Sequence, residues 1–91
     1  MLQTISIIVT GKVQGVFYRQ STRDVAQQLG ITGQIKNLSN GNVEIIATGT
    51  KEQLDKFIAC CKQGPPKAVV TDASVEELAL QEFTHFTILR S

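Results

Sequence analysis

The segment Gly11-Lys12-Val13-Gln14-Gly15-Val16-Phe17-Tyr18-Arg19 holds the residue types best suited to chemistry, two glycines four apart and then an arginine. An alternating apolar run precedes it and a helical pattern follows. The loop therefore delivers the chain to a helix N-terminus, where first-turn N–H groups have no intrahelical acceptor. Glycines at 11 and 15 let the backbone curl. The amides of Gly15, Val16, Phe17, Tyr18 and Arg19 can then converge on one small, multiply charged oxyanion. Arg19 adds a planar fork that stays protonated and grips phosphate through two parallel N–H bonds. The same residues also fit an ordinary tight turn, with Arg19 solvated as one of nine cations. The Gly-Lys-Ser/Thr ending of a nucleotide P-loop is missing, which argues against bound ATP and magnesium.

The other reactive side chains have plainer readings. His85, the single histidine, falls in a late strand, at a surface or half-buried position. Lys12 and Lys36 lie close to the chemical segments and either steer an anion or are simply solvated. Glu44 belongs on an exposed strand face. Arg23 follows Arg19 by one helical turn; it either reinforces the positive field or pairs with Asp24 or Gln27, and pairing is the simpler reading. Cys60 and Cys61 are adjacent, so they cannot staple distant segments. They read as reduced thiols, one turned inward and one near the surface. No His, Cys, Asp and Glu cluster has metal-ligand spacing, and no nucleophile, base and orienter set is present. The chemistry expected is noncovalent, without metal or cofactor.

The rest of the chain supplies the elements that must hold this loop. Ile5, Ile7 and Val9 alternate with Thr4, Ser6, Ile8 and Thr10, which predicts a strand. Tyr18, Thr22, Val25, Ala26 and Leu29 form one helical face, with Gly30 as its left-handed cap. The runs Gly33–Leu38 and Asn42–Thr48 read as a hairpin joined through Ser39-Asn40-Gly41. Thr50 and Gln53 form a capping box for a second helix with the stripe Leu54, Phe57, Ile58 and Cys61, which ends before Gly64. Ala68–Leu78 and Thr84–Leu89 have strand-like spacing after Pro65 and Pro66. The order is strand, helix, strand, strand, helix, strand, with a possible short fifth strand. That predicts a ferredoxin-like α+β sandwich, an antiparallel sheet with both helices on one face, in a single domain over residues 1–91.

Composition narrows the function. With 91 residues there is material for one core, and nine Lys and Arg against eight Asp and Glu give no broad field for a phosphate backbone. A nucleic-acid partner is not expected, and neither is a membrane, since no run approaches the ~20 apolar residues of a span. Met1-Leu2-Gln3-Thr4 carries no basic run ahead of an apolar stretch, so a cytoplasmic address is expected. The five Phe and Tyr residues form no paired strand motif for stacking bases.

Taken together, Gly11 to Arg19 resembles the signature loop of the acylphosphatase family, in which glycine, Val-Gln-Gly-Val, an aromatic and arginine follow in order. The block from Leu29-Gly30-Ile31-Thr32-Gly33 through Lys36-Asn37-Leu38-Ser39-Asn40-Gly41-Asn42-Val43-Glu44 is similar to the family's second motif, centred on an asparagine before the hairpin. Gly64-Pro65-Pro66 with Ala68, and Phe86-Thr87-Ile88, match its usual layout. The resemblance implies hydrolysis of small acyl phosphates, and a monomer is expected. Loop amides and Arg19 hold the phosphate while Asn37 positions the attacking water. The rival reading is a stand-alone phosphate- or carbamoyl-phosphate-binding module without turnover. Gln34 stands where the family usually has an aromatic, Asn40 where aspartate is usual, and Tyr18 where phenylalanine is commoner. The tyrosine adds a hydroxyl that must find a partner if buried.

Overall fold

Alternation in the first strand decides which face of the sheet is covered. Ile5, Ile7 and Val9 are buried, and they lie opposite Ala47, Ile45 and Val43 of a neighbouring strand that is buried in the same phase. The computed structural model describes residues 1–89 as β1 (Leu2–Lys12), α1 (Tyr18–Leu29), β2 (Thr32–Asn37), β3 (Val43–Thr50), α2 (Lys51–Gln63), β4 (Val69–Leu78) and β5 (Phe86–Ile88). The strands form one sheet in the order β4-β1-β3-β2-β5. The first four pair antiparallel as the sequence predicts. β5 is the fifth strand, and it joins β2 in parallel, so the ferredoxin-like sheet is mixed.

Both helices feed one core with the inward sheet residues. Tyr18, Thr22 and Ala26 of α1 and Leu54, Phe57 and Cys61 of α2 are buried, with Val25, Leu29 and Ile58 partly buried beside them. Phe57 and Phe86 pack edge to face, with ring centroids 5.9 Å apart, which fastens β5 into this layer. The capping box opens α2: Thr50 Oγ1 accepts from the Gln53 N–H at 3.2 Å and Gln53 Oε1 accepts from the Thr50 N–H at 2.8 Å. Cys61 is buried and Cys60 exposed, both free. Burial pushes the Cys61 thiol up to about 12.

Tyr18 is only 1% exposed, and its hydroxyl donates to the Cys61 carbonyl at 2.7 Å, tying the first turn of α1 to the last turns of α2. Burial holds its proton on above the ordinary phenol range. Tyr18→Phe removes this bond and strands a buried acceptor. It is expected to cost about 1–2 kcal/mol, which lowers Tm by roughly 4–8 °C per kcal/mol in a thermal melt of a domain this size.

Candidate active site

Helix α1 starts without a side-chain cap. Its N-cap residue, Phe17, has φ 62° and ψ 21°, no capping bond, and no acidic residue in the turn that follows. Among the described residues it is the one non-glycine with positive φ. That backbone costs about 1–2 kcal/mol for a residue with a Cβ and persists where the surroundings impose it. Gly15, at φ 72°, adopts the left-handed region freely. Left-handed Phe17 followed by right-handed Tyr18 is the alternation that turns successive N–H groups to one side. The Ser21 N–H donates to the Phe17 carbonyl at 3.0 Å, while the amides of residues 15–19 reach no backbone acceptor among the described residues. The two helices thus differ at their starts: α2 is closed by its own capping box and carries Glu52 in its first turn, and α1 is open.

A pocket of about 400 Å³ adjoins this turn, lined by Val13, Gly15, Phe17, Arg19, Arg23 and Ile88 among others. No acidic side chain is among its described lining residues. Phe17, 72% exposed, stands at the rim as an apolar plate beside charged groups. Arg19 Nη1 donates to the Leu89 carbonyl at 3.3 Å, and the Leu89 N–H donates to the Ile35 carbonyl at 2.8 Å. This two-step chain ties the guanidinium through the end of β5 to β2.

Asn37 ends β2. Side chains alternate along a strand, so it shares the helix-covered face with Ile35, two residues earlier, opposite fully buried Val43. Its Oδ1 is buried and has no hydrogen-bond partner among the described residues. A buried acceptor left unmet costs about 1–3 kcal/mol, so it marks a position kept for something other than stability. Asn37 does not line the pocket that holds Arg19. A second clamp nevertheless binds the loop to its turn: Gln14 Nε2 donates to the carbonyls of Leu38 at 2.8 Å and Asn42 at 2.9 Å. Asn40, in place of the usual aspartate, still accepts from the Asn42 N–H through Oδ1 at 3.0 Å.

Gln14 and the Leu89 carbonyl carry no chemistry of their own, and sequence reasoning missed both. Neither a neutral side chain in a loop nor a backbone carbonyl advertises its partner. Gln14→Leu cuts both bonds to the turn and lets the loop shift; kcat/KM is expected to fall about tenfold or more in steady-state kinetics. Lys36 points to the uncovered face and pairs with Glu44 at 3.7 Å, and Lys12 is exposed on β1 away from the pocket lining. His85 is exposed just before β5 and offers its carbonyl to the Gly33 N–H. Arg23 does pair with Asp24, loosely at 3.6 Å, yet it also lines the pocket. Among the described residues no three His, Cys, Asp or Glu side chains gather as a metal-binding group.

A family model described as acylphosphatase matches residues 5–88. The chain is similar to an acylphosphatase of Methylococcus capsulatus, 44% identical over 90 residues, with 98% of each chain covered. It is 50% identical over 86 residues to one from Acaryochloris marina, covering 94% of this chain and 92% of the relative. The crystal structure of acylphosphatase from Bacillus subtilis superposes with a TM-score of 0.93 at 39% identity, covering 98% of this chain and 99% of the other.

Proposed function

The chain belongs to the acylphosphatase family, and from that premise we propose how its residues divide the hydrolysis of a small acyl phosphate into carboxylate and inorganic phosphate. The observation that carries the reading is the open, acid-free N-terminus of α1 beside Arg19. The phosphoryl group docks there. Its oxygens accept from the amides of Gly15, Val16, Phe17, Tyr18 and Arg19, and the Arg19 guanidinium clamps it with a charge that does not titrate. Phosphoryl transfer through a loose transition state asks for placement and charge stabilisation more than for covalent help, and this site supplies both.

The departing group is a carboxylate whose conjugate acid has a pKa of about 4, so no side chain need protonate it. Asn37 holds the attacking water. Its carboxamide can accept a water O–H and donate an N–H, which together fix the lone pair toward phosphorus; a carboxamide cannot take the proton. The proton passes to an oxygen of the substrate's own phosphate. A steep pH–rate profile tracing to an enzyme carboxylate would contradict that step.

The test is phosphate release from benzoyl phosphate with a chelator present. Many turnovers per protein are expected; phosphate binding without release would return the chain to the rival, binding-only reading. We also place the protein in the cytoplasm as a monomer. The free thiols of Cys60 and Cys61 suit a reducing compartment. The exposed edge strand β4 carries Asp72, Glu76 and Glu77, charges that discourage pairing between copies. No helix among the described residues is long and apolar enough to cross a membrane.

A further inference from the structure

The charge pattern of α1 runs against its own dipole. Arg19 and Arg23 fall in its first two turns, where cations are unfavourable, while its first turn has no acid and its last turn no base. Like charges four residues apart on a helix also repel. Asp24 relieves little of this: its carboxylate is 3.6 Å from Arg23 Nη2, and the Arg23 side chain is 34% exposed. That separation is well beyond the ~2.7–2.9 Å of a charge-assisted hydrogen bond. Arg23 Nε is buried and has no hydrogen-bond partner among the described residues. Helical side chains lean toward the N-terminus, and Arg23 accordingly lines the same acid-free pocket as Arg19. Two guanidiniums thus share one cavity with no carboxylate among its described lining residues. Such a local conflict, consistent in neither charge nor hydrogen bonding, marks a site that a ligand completes.

Resting on the phosphate position proposed above, we propose that Arg23 is a specificity residue for the acyl half of the substrate. It binds a second anionic group, a carboxylate on the acyl chain. Arg19 and Arg23 stand one helical turn apart and both line a cavity of about 400 Å³, room for an acyl chain with two methylenes between its carboxyl groups. A phosphate held at Gly15–Arg19 therefore sets the far carboxylate of such a substrate beside Arg23, while the methylenes lie along Val13, Phe17 and Ile88. Arg23 touches no reacting atom; it selects the substrate and leaves the chemistry to the N-terminal turn.

The experiment compares kcat/KM for succinyl phosphate and butyryl phosphate, which differ in a terminal carboxylate against a methyl. The wild-type chain is expected to prefer succinyl phosphate. Arg23→Gln should reduce that preference about tenfold, chiefly through KM, the worth of one charge-assisted contact. Arg23→Lys, which keeps the charge and loses the fork, should retain part of it, and Arg23→Glu should reverse it. Equal losses on both substrates in Arg23→Gln and Arg23→Lys, or no preference in the wild type, would overturn the role of Arg23 and leave the phosphate site standing. A folded wild type that hydrolyses neither substrate would overturn the phosphate site itself.

Discussion

Arg19→Gln is expected to lower kcat/KM for benzoyl phosphate by about 10³-fold or more and to abolish inhibition by inorganic phosphate. Arginines placed on a transferring phosphoryl group are worth that much, because they meet charge that develops as the bond breaks. Glutamine has a polar end but neither the charge nor the two-pronged donor. Fold stability should hardly change, because the bond from Arg19 to the Leu89 carbonyl is long, at 3.3 Å, and only partly buried. Arg19→Lys restores charge without the fork and should recover activity only in part. Steady-state kinetics with a phosphate inhibition series, beside a thermal melt, separates these effects. Activity within tenfold of wild type in Arg19→Gln would remove the guanidinium from the mechanism.

Asn37→Ala should show the opposite balance between activity and stability. Losing one preorganised polar group costs about 100-fold or more in rate, and because the group acts on water, the loss should fall on kcat while phosphate affinity is retained. Its stability should stay level or rise. Asn37 Oδ1 is a buried acceptor with no partner among the described residues, so deleting it removes an unmet desolvation cost. A variant that is slower yet no less stable is the signature of a residue kept for function. A large drop in Tm with unchanged kcat would make Asn37 structural.

The two helices and the hairpin were legible because their signals are local. The Thr50–Gln53 box and the stripes through Tyr18 and Phe57 each sit within a few residues of the features they specify. β1 runs further than its pattern suggests. Apolar alternation stops at Thr10, yet a register shift there lets Gly11 and Lys12 continue the ladder opposite Val70 and Val69, and a bulge leaves no periodic trace. The C-terminal strand was readable as a strand, but its parallel partner was not. Its pairing with β2 is a long-range contact, Gly33 against Phe86 and Ile35 against Ile88, which leaves no local trace. Within the site, Arg19 was visible as a charged fork after a glycine loop, while Asn37 came only through family resemblance, since an asparagine at a strand end is common. What sets Asn37 apart is an unsatisfied buried oxygen, and that belongs to the tertiary structure. Gln14 was missed for a related reason: its acceptors lie 24 and 28 residues away.

A ¹⁵N–¹H titration of the wild-type protein with inorganic phosphate most directly probes whether loop, guanidinium and carboxamide build one site. The expected result is that the amides of residues 15–19, the Arg19 side-chain N–H and the Asn37 side-chain NH₂ all shift and saturate with a single Kd. Shifts clustered elsewhere, or an Asn37 signal that stays still while the loop saturates, would contradict it.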